Sequence, residues 1–127
     1  MATPFVFITT HKVRPRSLAA LKALTRDYTA YLDDHDARLL AHSAFLNEDE
    51  TELSLVQMHA DAASAEHHMR IVEPAITAAA ELTEPMAITV YGRPGPAVQA
   101  ALDNLGGAGV PVTVRDGDLG GFTRCTP

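Results

Sequence analysis

Six histidines stand in this chain, at positions 11, 35, 42, 59, 67 and 68. Histidine exchanges its proton near neutral pH, with an ordinary pKa of about 6.5, so these residues are the first candidates for chemistry. Three of them fall in the passage VQMHADAASAEHHM, Val56 to Met69. His59 closes a period-two run in which Leu53, Leu55 and Gln57 share its side of a strand. His67 and His68 follow on a helix opened by Asp61 or Ser64, either of which can cap a free backbone N–H. At 100° per residue, His68 flanks the apolar stripe of Ala65, Met69, Val72 and Ile76, whereas His67 points nearly opposite. His68 and His59 are therefore the candidate general bases.

His11 and His42 share strand parity with His59 in two other strands. If that parity faces a partner, the three line a cavity with Thr9 and Gln57, edged by Tyr91 and Tyr28. Such a cavity suits a planar, partly polar ligand. Three imidazoles on rigid strands could also hold zinc, iron or copper, but no carboxylate is placed with them by the pattern, and no metal is expected. The run Asp33-Asp34-His35-Asp36 reads as a solvated turn, because consecutive residues at a chain end point in different directions.

These side chains need elements to hold them. Phe5 to Val13 alternates as a strand, and Pro15 to about Leu32 carries Leu21, Leu24, Tyr28, Tyr31 and Leu32 at helical spacing. Arg38 to Leu46 is a strand that turns through Asn47-Glu48-Asp49-Glu50 into the strand ending at His59. Pro74 predicts a kink or restart of the following helix near Glu73. Met86 to Tyr91 is a further strand, broken by Gly92-Arg93-Pro94-Gly95-Pro96. Pro96 to Leu105 is a short helix, Val110 to Arg115 looks extended, and Asp116-Gly117 could fold Leu119 to Thr123 back as a hairpin.

The chain has 127 residues, 46% hydrophobic and 20% charged, which fits one domain with a real core, its main part over 1–92 and an extension over 93–127. A net charge of -6 without a basic cluster argues against nucleic acid and anionic membranes as partners. Cys125 is the single cysteine, read as an idle thiol. With no leader and no membrane-spanning run apparent, a cytoplasmic, soluble protein is expected.

Strand, helix, strand, strand, helix, strand is the split pattern of the ferredoxin-like α+β fold, an antiparallel sheet with helices on one face. Its second face is expected to carry Phe7 and Leu55. Exposing large side chains there would cost about 1.5 to 3 kcal/mol each, so a homodimer through that face is expected.

On this order and on the passage Val56 to Met69, the chain resembles the antibiotic biosynthesis monooxygenase-like proteins of the dimeric α/β barrel superfamily. The resemblance covers Phe5 to Gly92, and His68 matches the helix histidine of that family. It implies a cofactor-independent monooxygenase acting on a small aromatic, phenolic or polyketide-like molecule in a cavity between sheet and helices. A histidine would be the base, with Gln57 and Tyr91 orienting the substrate. Haem-degrading relatives also use a Trp and an Asn in the first strand. This chain has no Trp, and Thr9 and Thr10 stand in that strand, which disfavours haem degradation. The rival readings are a non-catalytic dimeric binder of a small aromatic molecule, and a cavity filled by the chain's own segment Val110 to Phe122.

Overall fold

The computed structural model describes residues 3–124; Cys125 lies outside the described residues. In chain order the elements are β1 (Phe5–Val13), α1 (Leu18–His35), β2 (Leu39–Leu46), β3 (Glu52–His59), α2 (Ala62–Ala79), β4 (Thr83–Tyr91), α3 (Pro96–Gly107) and β5 (Val112–Arg115). The sheet order is β2-β3-β1-β4-β5. Its first four strands are antiparallel, the arrangement of a ferredoxin-like α+β fold. β5 is added parallel to β4, Ile88 facing Val112, which makes the sheet mixed and answers where the extension goes. Residues 116–124 form no hairpin, and with Leu119 and Phe122 exposed the tail does not fill the interior. Among the described residues no helix is long and apolar enough to cross a membrane.

The register decides which side chains face the helices. Phe7 pairs with Gln57 and Val90, and Thr9 with Leu55 and Ile88; all of these line the space beneath α1, α2 and α3. Phe7 and Leu55 therefore lie on the covered face, the reverse of the sequence expectation. Alternation over a strand fixes which residues share a face but not which face receives the helices. Val6, Ile8, Val56, Met58, Phe45 and Tyr91 take the opposite side, where Phe45 is 60% and Tyr91 44% exposed. No described element covers that side. Bulges at Leu40 in β2 and Met86 in β4 shift the register once in each strand.

Asp61 caps α2 by accepting from the Ser64 N–H at 2.8 Å. The helix runs on through Pro74 without the expected restart. Pro74 is exposed, so its ring meets solvent rather than a packed neighbour, and the packing of Ala65, His68 and Val72 holds the helix in one piece. Phe5, Ala65, Val90, Val98 and Leu102 form the core. α3 is fastened to α2 by the Glu66 carboxylate, which accepts from the Ala97 and Val98 N–H groups at 2.7 and 2.8 Å and so satisfies free donors at the α3 N-terminus. Gly92 has φ +123°, and a Cβ there would come within 2.9 Å of Phe5 Cδ2, so the exit from β4 needs glycine on both counts.

Candidate functional site

Between the sheet and the three helices lies a cavity of about 290 Å³. Phe7, Leu55 and Ile88 form its floor, Leu24 and Tyr28 of α1 one wall, Val72 and Ile76 of α2 another, and Leu102 of α3 closes the far side. No Lys, Arg, Asp or Glu stands in the lining.

His68, Gln57 and Tyr28 bring polar groups to one end of the cavity. His68, 2% exposed, lies within hydrogen-bond distance of Asp36, its Nδ1 2.7 Å from Oδ2. Burial lowers the pKa of His68, opposed by the hydrogen bond and charge of Asp36. In the neutral ring Nδ1–H donates to the carboxylate, which leaves Nε2 without a proton. His68 lines the cavity, so a base with a fixed tautomer serves that end.

Asp36 is the residue that the sequence concealed. Asp33, Asp34 and His35 are exposed, as a solvated helix end predicts, but the Asp36 side chain is fully buried. It ends α1, its backbone N–H donating to the Leu32 carbonyl at 2.9 Å. One sequence signal was available: Asp36 comes right after the turn of helix that buries Leu32, one position away from the exposed set.

His59 packs behind His68 rather than on the cavity wall. It has no exposed surface, stacks on Phe7 at 5.7 Å between centroids and meets the His68 ring edge-on at 5.1 Å. Both its ring nitrogens are buried and have no partner among the described residues, and burial, reinforced by His68, pushes its pKa down to about 4. A ring so placed has no direct route to a substrate. Gln57, 1% exposed, donates from Nε2 to His42 Nδ1 at 3.0 Å and reaches the Tyr28 hydroxyl at 3.5 Å. Burial pushes the Tyr28 pKa up to about 12, so it stays a neutral hydroxyl.

The structure thus gathers His68, His59, Gln57, His42 and Tyr28, and separates two others. His11 is on the cavity wall, but its partner on β3 is Leu53 whereas His59 pairs with Phe5. Five residues of β1 lie between Phe5 and His11, a separation of about 20 Å along the strand. There His11 Nε2 meets Thr9 Oγ1 at 3.1 Å. Tyr91 stands on the outer face, opposite Val6, and cannot orient a molecule in the cavity. The cavity sits under the helices, not against a partner sheet. No group of three or more His, Cys, Asp or Glu among the described residues is placed to hold a metal ion.

The same arrangement of elements occurs in solved structures. The crystal structure of MupZ from Pseudomonas fluorescens matches with a TM-score of 0.72 over 95% of this chain and 94% of its own, at 15% identity. SnoaB, a cofactor-independent oxygenase from Streptomyces nogalater, matches with a TM-score of 0.62 over 75% of this chain and 97% of its own, at 12% identity. A protein from Deinococcus radiodurans named a putative antibiotic biosynthesis monooxygenase matches with a TM-score of 0.61 over 72% of this chain and 94% of its own, at 14% identity. The fold is that of the antibiotic biosynthesis monooxygenase-like proteins. A match over 95% leaves no room to omit both α3 and β5, so the MupZ likeness extends into the extension. No family model matches the chain, and no curated protein matches its sequence. At these identities the likeness concerns the fold, and the chemistry has to be argued from the site.

Proposed function

We propose that the protein is a cofactor-independent monooxygenase acting on a small aromatic, phenolic or polyketide-like molecule, with His68 as the general base. The observation that carries this reading is the buried Asp36–His68 pair beside an apolar cavity. His68 Nε2 takes a proton from an acidic C–H of the substrate, and Asp36 offsets the charge of the imidazolium. The carbanion passes electrons to oxygen in single steps and forms a C–O bond. The resulting peroxide recovers the proton from His68. Loss of water then leaves a carbonyl, with one oxygen atom in the product and the other in water.

Anthrone, whose carbanion reacts with oxygen and whose enol tautomer carries a hydroxyl, is a suitable probe. An oxygen electrode should record saturable uptake of about one O₂ per anthrone, above the spontaneous rate, with anthraquinone as the product. His68→Ala should return uptake to background. Saturable binding of anthrone without oxygen uptake would support the non-catalytic binder instead, a reading favoured by how little of the polar end is exposed.

We also propose that two chains pair through the outer sheet face, where the half-buried Val6, Ile8, Val56 and Met58 lie with the exposed Phe45 and Tyr91. Native mass spectrometry should give twice the chain mass, and Val56→Glu should give a folded monomer. A monomeric unsubstituted chain would end this proposal while leaving the site, which lies within one chain, as it stands.

A further inference from the structure

The polar end of the cavity contains an amide with unused capacity. Both hydrogen bonds of Gln57 come from Nε2, to His42 and to Tyr28, while Oε1 is buried and has no partner among the described residues. A buried carbonyl left unpaired is destabilising, and a donor brought to it removes that penalty. Gln57 lines the cavity, 1% exposed, and pairs across the sheet with Phe7, whose ring lies 6.1 Å from that of His68. The amide and the base therefore serve the same end of one space. His42 holds the amide from behind, and Tyr28 crosses His42 edge-on at 5.4 Å, which limits the turn the amide can make.

Charge gives an independent restriction. The lining has no cationic side chain, and at the polar end the buried Asp36 carboxylate lies 2.7 Å from His68. An anionic head placed there would lose its water, gain no counter-ion and face a second negative group.

From these observations we infer that the site takes an uncharged, mainly apolar molecule whose hydroxyl group seats on the Gln57 amide, and that carboxylates and phosphates are excluded. This deepens the reading of the site given above and rests on it only for the location of the ligand. Gln57 is then the residue that sets specificity. A site built to hydrogen-bond a hydroxyl discriminates strongly against the analogue without one, because its own polar group is left buried and unpaired. Neutral binding also agrees with the proton transfer: the charge separated between substrate and His68 arises inside the site, next to Asp36, and does not have to be carried in from water.

The test uses binding alone, on the full chain at pH 7.5, by isothermal titration calorimetry with 2-naphthol, 2-methylnaphthalene and 2-naphthoate. These share a ring system and differ in one group. Binding of 2-naphthol should be at least about tenfold tighter than that of either of the others, and Gln57→Leu should bind 2-naphthol and 2-methylnaphthalene alike. Equal binding of 2-naphthol and 2-methylnaphthalene to the unsubstituted protein overturns the role of Gln57. Tightest binding of 2-naphthoate overturns the exclusion of anions, and no binding of any of the three overturns the site as a ligand site. Should Gln57→Leu fail to fold, the ranking of the three ligands on the unsubstituted protein decides by itself. The expected ranking without oxygen uptake on anthrone would sink only the oxygenase reading; oxygen uptake with a different ranking would sink only this one.

Discussion

Asp36→Asn lowers kcat for oxygen uptake by about 10²- to 10⁴-fold and leaves KM nearly unchanged, the span that a positioned general base usually contributes. Asp36 is a positioning residue: it touches His68 and not the cavity. The carboxylate accepts only, so it holds the proton of neutral His68 on Nδ1 and leaves Nε2 as the base. An amide in its place can donate to Nδ1, which drives the ring proton to Nε2 and turns the base into a donor. The substitution changes no cavity wall, so ground-state binding should persist. Steady-state kinetics across pH 5.5 to 8.5 would check this, because a loss of stability alone would not reproduce a kcat defect in the folded fraction. A fall of less than about threefold would remove His68 from the role of base.

Lowering the pH from 6.5 to 4.5 should destabilise the fold by about 2 to 3 kcal/mol through His59 alone. The folded pKa of about 4 lies below the unfolded value of about 6.5. Between the two the unfolded chain binds the additional proton, so stability is complete above pH 6.5 and falls as pH approaches 4. Burial lowers the pKa of His11, His42 and His68 as well, and the same sign makes them add to the fall. Urea unfolding at pH 7 and pH 4.5 measures the difference. His59→Phe should flatten it, since the ring keeps its place between Phe5, Phe7 and His68 without a titrating group. An unchanged pH dependence in His59→Phe would contradict this account.

The sequence and the structure agree where local rules decide and part where tertiary packing does. The strand over Phe5–Val13 is in place to the residue, and the elements from α1 to β5 appear in the expected order, because alternation and helical spacing are local properties; only the hairpin after Asp116-Gly117 is missing among the described residues. The cap of α2 was legible for the same reason as one of two residues, Asp61 or Ser64, and the structure selects Asp61. Which face of the sheet takes the helices was not. Parity grouped Phe7, Thr9, Leu55 and Gln57 correctly, but only the chain path over the sheet could say that they turn toward α1 and α2. At the site, His68 was visible as a residue flanking an apolar stripe. Its partner was hidden in a run of carboxylates whose other members are solvated, and only the approach of α1 to α2 singles out Asp36. Tyr91 shows the converse error: a polar aromatic near a predicted site lies on the far side of the sheet.

The parallel attachment of β5 also bears on how this protein avoids joining its neighbours into fibres. A sheet ending in β4 would present a nine-residue strand with a row of open N–H and C=O groups. β5 pairs with Ile88 to Tyr91 and closes the half that is richest in β-branched residues. The half left open contains Glu84 and Pro85, a charge and a residue with no N–H to offer. Strand-by-strand growth from one molecule to the next is thus blocked along β4 by a short strand at one end and a proline at the other, and the long free edge that remains is β2.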